Sequence, residues 1–211
     1  MSLTVITATT GRDELYDAVK SVQGQDCKHL LVIDGEKYTE KTVRIMSKSG
    51  FKGDLIILPE NTGFDGYLCH RIYSAIPTLV NTQYVSFLDE DNWYEPDYVE
   101  KMIESIIGRN IATCRRNVYT EEKEFICVDN FESIGWNGKY HLHDTNTMMF
   151  DRELWVNEFA VEMYGKWVND RYVSNKIYMS LQPYPSIHLS NPLVNYRSPE
   201  RLYNFFRKGV V

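Results

Sequence analysis

The sequence predicts an α/β fold: one Rossmann-like domain whose central sheet is mostly parallel and flanked by helices. Three observations predict it. Short β-branched apolar runs alternate with amphipathic stretches over the first ninety residues. Those runs are continuously apolar, as strands covered on both faces are. The chain has 211 residues, 43% hydrophobic and 25% charged, an ordinary globular composition that can bury roughly 70% of its unfolded surface without staples.

The elements follow in order. Leu3 to Ala8 reads as a strand, and Asp13 to Gln23 as a helix with Leu15, Val19 and Val22 on one face. His29 to Ile33 is the second strand, and Thr39 to Ser49 a helix carrying Val43 and Met46. Leu55 to Leu58, closed by Pro59, is the third strand. Gly66 to Ile76 is a helix ended or bent by Pro77. Tyr84 to Leu88 is the fourth strand. This order implies right-handed crossovers and helices on both faces. Beyond Pro96 the pattern loosens. Tyr98, Met102 and Ile106 mark a helix. Ile111 to Tyr119, Glu124 to Val128 and Thr145 to Phe150 look extended. Arg152 to Met163 and Val168 to Met179 look helical, and Ile187 and Leu189 suggest a last short strand. No repeat or linker divides the chain, so a single domain over 1–211 is expected.

Charge and cysteines narrow the function classes. The net charge of −6, from 23 Lys+Arg against 29 Asp+Glu, argues against nucleic acid as a partner. No stretch approaches the ~18 apolar residues of a membrane span. Met1 to Thr7 has neither a basic n-region nor an apolar h-region, so no signal peptide is expected. Cys27, Cys69, Cys114 and Cys127 form no CxxC pair and read as reduced, mostly buried thiols of an intracellular protein. A soluble, cytoplasmic protein is the expectation.

In open α/β sheets ligands bind beyond the carboxyl ends of the strands. Four such ends are polar here: Thr7-Ala8-Thr9-Thr10-Gly11-Arg12, Asp34-Gly35-Glu36, Asn61-Thr62-Gly63 and Asp89-Glu90-Asp91. The acidic triplet is the most informative. Adjacent carboxylates repel one another, and a divalent cation removes that penalty. Asp89 and Asp91, two apart in extended chain, point to one side, which suits a hard ion such as Mg²⁺ or Mn²⁺ completed by phosphate oxygens. The bland alternative is a solvated acidic turn. Asp34, Thr7 and Thr9 offer partners for a base or ribose, or simply cap the helices that follow. Asp170, at a helix start behind Trp167, is either a carboxylate poised as a base or an N-cap. His188 lies in an apolar strand, where a satisfied core histidine is the commoner role. His141 and His143 share a face in an extended chain, and their bland reading is a surface strand. No G-x-G-x-x-G, P-loop or G-x-S-x-G motif is present, which argues against a P-loop NTPase and a dinucleotide dehydrogenase and leaves no serine elbow.

Together these pieces resemble the family 2 glycosyltransferases of GT-A fold. The family's Thr-rich first turn is matched by Val5-Ile6-Thr7-Ala8-Thr9-Thr10-Gly11-Arg12, its V-D-D-G-S by Val32-Ile33-Asp34-Gly35-Glu36, and its N-x-G by Asn61-Thr62-Gly63. Its D-x-D strand is matched by Tyr84-Val85-Ser86-Phe87-Leu88-Asp89-Glu90-Asp91-Asn92, and the P-D-x-[LV] that follows by Pro96-Asp97-Tyr98-Val99. Thr147 to Leu154 resembles the strand-to-helix element ahead of the family's catalytic acid. The likeness extends to glycosyltransferase domains of chlorella viruses, which implies a viral gene acting in a host cell.

The resemblance implies a nucleotide-binding half over 1–100 and an acceptor and sugar half over 101–211. It implies a UDP-sugar donor, a glycan or glycoconjugate acceptor, and inverting transfer of a hexose-type sugar. Asp34 with Thr7 or Thr9 would contact uracil and ribose, and Asp89 would sit near the ribose. Arg12, Glu90 and Arg71 are grouped with the nucleotide contacts, Arg71 toward the diphosphate. Asp91 would ligate Mn²⁺ or Mg²⁺, with His188 as the candidate second ligand. Asp170 would be the general base, although Asn169-Asp170 stands where the family has E-D. Cys69-His70-Arg71-Ile72 replaces the family's A-R-N motif. Trp136 and Trp167 are candidate walls of the sugar pockets. Two competing readings are a sugar-phosphate nucleotidyltransferase, for which Thr9-Thr10-Gly11-Arg12 is too poor in glycine, and a non-catalytic nucleotide-sugar-binding domain. Pro199 to Lys208 reads as a short basic helix that either closes over the core with Leu202, Phe205 and Phe206 or lies on a membrane. Its abrupt continuation to Val211 suggests one module of a longer chain.

Overall fold

Strand β1 (Leu3–Thr9) is fully apolar or hydroxylated and sits in the middle of the sheet, buried almost along its length. The structure, a computed structural model, describes residues 2–136, 141–165, 169–179 and 184–208. Helix α1 (Leu15–Val22) returns the chain to β2 (Lys28–Ile33), and α2 (Thr39–Ser49) returns it to β3 (Asp54–Ile57). A 3₁₀ turn at Phe64–Gly66 and helix α3 (His70–Ala75) lead to β4 (Tyr84–Phe87). Then come β5 (Trp93–Tyr94), α4 (Tyr98–Ile106), β6 (Ile111–Tyr119) and β7 (Phe125–Val128). The short pair β8 (Gly135–Trp136) and β9 (His141–Leu142) precedes β10 (Met148–Asp151). Helix α5 (Arg152–Leu154) runs through a π turn at Trp155–Phe159 into α6 (Ala160–Met163). Helix α7 (Asn169–Met179), strand β11 (Ser186–Arg197) and helix α8 (Tyr203–Lys208) complete the described chain.

The main sheet orders these strands β3-β2-β1-β4-β10-β6-β11-β5, with β7 on β6. The first four are parallel, as the β-α alternation requires. Antiparallel pairs enter where β10 inserts between β4 and β6, and again at β5 and β7. Side chains alternate between two apolar layers. Leu3 and Val5 face α1, α2 and α4, through Leu15, Val19, Ile45 and Met102. Ile6, Val85 and Phe87 face α3, α5, α6 and α7, through Tyr73, Trp155, Phe159 and Ile177. Trp155 is wholly buried, and its Nε1 donates to Tyr73 O at 3.0 Å, so its one polar atom is satisfied.

The structure corrects several sequence expectations. The last strand is long, because β11 carries Ser190, Asn191 and Pro192 through a break in register on β6 instead of stopping at Leu189. The third helix begins only at His70, since Asp65, Gly66 and Leu68 all take positive φ. His143 is buried instead of surface: its N–H donates to Ser174 Oγ at 2.9 Å and its ring pairs with Tyr178 OH at 2.6 Å. Four free thiols are present, of which Cys114 is buried and the others half-buried. Helix α8 tucks Phe206 against Tyr196 and leaves Phe205 40% exposed. Among the described residues no helix is long and apolar enough to cross a membrane.

Candidate active site

The parallel pairing of β1 with β4, Ile6 opposite Phe87, brings the Thr-rich turn level with the acidic triplet. Asp34 N donates to Thr9 O at 2.8 Å, which adds the end of β2. Together they line a cleft of 380 Å³ with Ala8, Thr10, Arg12, Gly63, Leu68 and Cys69. A second lobe of 510 Å³ opens from the same Arg12, Asp89 and Asp91 toward Glu121, Tyr196 and Arg197. A larger cavity, 710 Å³, lies at the amino ends of β2 and β3 beside Lys28, His29 and Asp54 and holds none of these groups.

Glu90 points back into β1. Its carboxylate accepts Thr9 Oγ1 at 2.6 Å, Thr10 Oγ1 at 2.9 Å, Thr10 N at 3.2 Å and Arg12 N at 3.0 Å. Gly11 N donates to Thr9 Oγ1 at 2.9 Å. The turn therefore spends its amides internally, and they are not presented as a phosphate cradle. Asp34 is 4% exposed, and its two oxygens accept Thr62 N at 2.6 Å and Gly63 N at 3.0 Å. Gly63 is required there, because a Cβ would lie 2.4 Å from Leu68 O.

Asp89 and Asp91 both line the cleft but differ in their partners. Asp89 accepts Tyr73 OH at 2.8 Å and Cys69 Sγ at 3.4 Å on Oδ1, and Asn146 Nδ2 at 2.8 Å on Oδ2. Burial, then the charge of Asp144, raises its pKa. Asp91 takes Arg12 Nη1 at 2.9 Å on Oδ2. Burial and the adjacent Asp89 push Asp91 up to about 7 against the pull of Arg12. For both carboxylates burial is the larger cause of the rise and a neighbouring carboxylate the next.

Asp170 stands in the first turn of α7, where its Oδ1 accepts Arg171 N at 2.9 Å. Burial, then Asp144, pushes it up to about 7, with Glu132 adding to the rise. Asn146 Nδ2 bridges Asp144 Oδ1 and Asp89 Oδ2, whereas Asp170 is absent from the lining of both lobes of the cleft. Asp144 and Glu132 are themselves held by Arg116, which is 1% exposed and also binds Asp129 at 2.7 Å. The Arg116 guanidinium lies 4.0 Å from the centre of the Tyr196 ring.

Three sequence candidates fall elsewhere. Thr7 is wholly buried two residues short of the strand end, with its Oγ1 on His29 Nε2 at 3.0 Å. Arg71 is absent from the cleft lining: Nη1 donates to Thr62 O at 3.2 Å and the guanidinium lies 3.4 Å from the Tyr67 ring centre. His188 bonds Thr113 Oγ1 at 2.9 Å on β11, three strands across from β4. At about 4.8 Å per strand that separates it by roughly 14 Å from the strand that leads to Asp91. Among the described residues no three His, Cys, Asp or Glu side chains converge as a metal cage. The side chains of Trp136 and Asn169, and all of Trp167, lie outside the described residues. Tyr73, Arg116, Asp144 and Asn146 join the site without having been marked by the sequence. Only the turn-forming Asp144-Thr145-Asn146-Thr147 run carries a local signal.

The glycosyl transferase family 2 model matches residues 4–151. The crystal structure of S. aureus TarS 1–349 is similar over 93% of this chain, with a TM-score of 0.66 and 15% identity. S. aureus TarS 1–349 in complex with UDP-GlcNAc gives 0.64 over 95% of the chain at 13% identity, and the complex with UDP 0.63 over 94% at 13%. The chain spans only 59% to 61% of those TarS chains. At such identity the likeness is one of fold, and it is the GT-A fold. No curated protein matches the chain.

Proposed function

The chain belongs to glycosyl transferase family 2, and from that premise we propose that it moves a hexose-type sugar from a UDP-sugar donor to a hydroxyl of a glycan or glycoconjugate acceptor, with a divalent cation and with inversion. The observation that carries the reading is the meeting of the β1, β2 and β4 ends at one cleft, with Asp34, Arg12, Asp89 and Asp91 on its walls. That one structure of similar fold holds UDP-GlcNAc and another UDP supports a uridine donor. Both are bacterial, so the chlorella virus likeness stays an expectation of the sequence.

Each residue has a task in this reading. Asp34 keeps acceptor capacity beyond its two amide bonds for a base N–H or a ribose hydroxyl. Glu90 shapes the turn that presents Arg12, and Arg12 places a positive charge on the diphosphate side. A divalent cation would be held at Asp91, a carboxylate on the cleft wall whose pKa is raised by burial first and by the adjacent Asp89 second. With one protein carboxylate offered, the diphosphate would supply the other oxygens. Such an ion, when bound, neutralises charge that grows on the departing nucleoside diphosphate. Asp170 takes the proton of the acceptor hydroxyl, and a carboxyl near 7 is suited to that transfer at neutral pH. The hydroxyl oxygen then attacks the anomeric carbon from the face opposite the diphosphate. Residues 1–100 serve the donor, and 101–211 bring the base and the acceptor side.

The test is transfer from a panel of UDP-sugars, with the anomeric configuration of the product read by NMR. Asp170→Asn is expected to keep UDP binding and to lose transfer by about 10²–10⁴-fold. A retained configuration, or unchanged turnover in that variant, overturns the inverting base mechanism. UDP binding without turnover of any UDP-sugar overturns the transferase reading in favour of a binding domain.

A further inference from the structure

Asn146 lies in the 3₁₀ turn that precedes β10 and is 1% exposed. Its amide nitrogen and oxygen are both engaged, the nitrogen between two carboxylates. Nδ2 donates to Asp89 Oδ2 at 2.8 Å and to Asp144 Oδ1 at 2.6 Å, while Oδ1 accepts the Asp89 N–H at 2.6 Å. The turn that carries it is fixed as well: Asp144 Oδ1 accepts the Asn146 N–H at 2.8 Å, and Thr147 Oγ1 donates to Asp144 O at 2.7 Å. Asp144 is anchored from below by the buried Arg116. Asn146 is thus a rigid bracket on Asp89, gripping both its backbone and its side chain across 57 residues of sequence.

The bracket leaves Asp89 little freedom. A carboxylate has about four acceptor positions. On Oδ1, Tyr73 and Cys69 take two of them. On Oδ2, Asn146 takes one. The fourth position is on the oxygen that Asn146 holds, in a residue that lines both lobes of the cleft. We propose that Asn146 is a positioning residue for the donor: it orients Asp89 so that the last acceptor position faces the cleft and receives one hydroxyl of the nucleotide. This rests on the nucleotide-site reading above. The physical gain is preorganisation, since an acceptor already fixed in place loses no rotamer freedom when the ligand arrives. Without the amide, Asp89 and Asp144 would face each other as bare like charges and move apart.

A double-mutant cycle tests this, with UDP titrated calorimetrically in Mn²⁺ into the parent chain, Asn146→Ala, Asp89→Asn and the double variant. Asn146→Ala is expected to weaken UDP by about 10–100-fold, as loss of an outer partner does for other ligand-holding groups. The double variant is expected to bind no more weakly than Asp89→Asn alone, because Asn146 acts through Asp89. Thermal unfolding run in parallel separates lost affinity from lost fold, since a purely structural asparagine would lower the melting point and leave the affinity of the folded protein unchanged. Should Asn146→Ala fail to fold, Asn146→Ser, which is neutral and too short to bridge both carboxylates, is expected to weaken UDP likewise. Affinity within twofold of the parent in the folded variant, or effects of the two changes that multiply in full, overturn the proposal and leave the site reading intact. A parent chain that does not bind UDP overturns the site reading and this proposal with it.

Discussion

Replacing Glu90 by Ala should damage the fold before it damages the ligand. Four donors of the β1 turn converge on this carboxylate: the hydroxyls of Thr9 and Thr10 and the amides of Thr10 and Arg12. Glu90 is 9% exposed, so the loss is not simply repaired by solvent. Hydrogen bonds to a charged acceptor contribute about 1.5–3 kcal/mol each. The Thr10 hydroxyl can turn toward water at the cleft edge, whereas Thr9 is 2% exposed; its hydroxyl and the two amides, at about 1 kcal/mol each once left unsatisfied, make the net loss about 3 kcal/mol. At about 2–4 °C per kcal/mol for a chain of this size, the melting temperature falls by roughly 5–15 °C. Glu90→Gln keeps an acceptor on one side and should lose about half as much. Scanning calorimetry measures the fall, with UDP titration alongside. A melting temperature within ~2 °C of the parent, together with lost UDP binding, would refute the reasoning and make Glu90 a direct nucleotide contact.

Three further outcomes follow from the geometry. Transfer should rise with pH through about 7 as Asp170 ionises, and a pH–rate profile of Asp170→Asn should lack that limb. The raised folded-state pKa gives the opposite sign for stability: this contribution is complete below the unfolded value near 4, fades as pH rises through about 7, and should be missing from Asp170→Asn melting curves. Gly63→Ala forces a Cβ to 2.4 Å from Leu68 O and 3.1 Å from Asp34 Oδ2, an overpacking of about 1–3 kcal/mol that should weaken UDP in calorimetry as well as lower the melting point. Phe206→Ala removes a side chain that is only 5% exposed and should cost about 3 kcal/mol by denaturant unfolding. Unchanged stability there, with lost binding to anionic vesicles, would turn α8 from a core closure into a membrane contact.

The cleft at the ends of β1, β2 and β4 is legible in the sequence for a physical reason. A buried apolar strand has no use for Asp34 or Asp89-Glu90-Asp91 at its end, so those residues stand out against the apolar runs that precede them. Their division of labour is not legible. Period-two alternation puts Glu90 opposite Asp89 and Asp91, but only the register of β1 on β4 shows that it meets the Thr-rich turn. Thr7 and Thr9 share a face, and the level of the strand end is what leaves Thr7 inside on His29. Asn146, Asp144 and Arg116 depend on pairings 28 and 57 residues apart, which no local pattern reports. The length of β11 is hidden because Ser190-Asn191-Pro192 resembles a turn. The sheet carries that segment through a register shift.

The central claim, a metal-assisted uridine nucleotide site between β1, β2 and β4, is tested most directly by titrating UDP into the chain with and without Mn²⁺, for the parent and for Asp91→Ala. The account predicts tight binding only with Mn²⁺ in the parent, no Mn²⁺ effect in Asp91→Ala, and weaker binding of GDP and CMP than of UDP. Equal UDP affinity with and without Mn²⁺, or equal affinity for all three nucleotides, would contradict it.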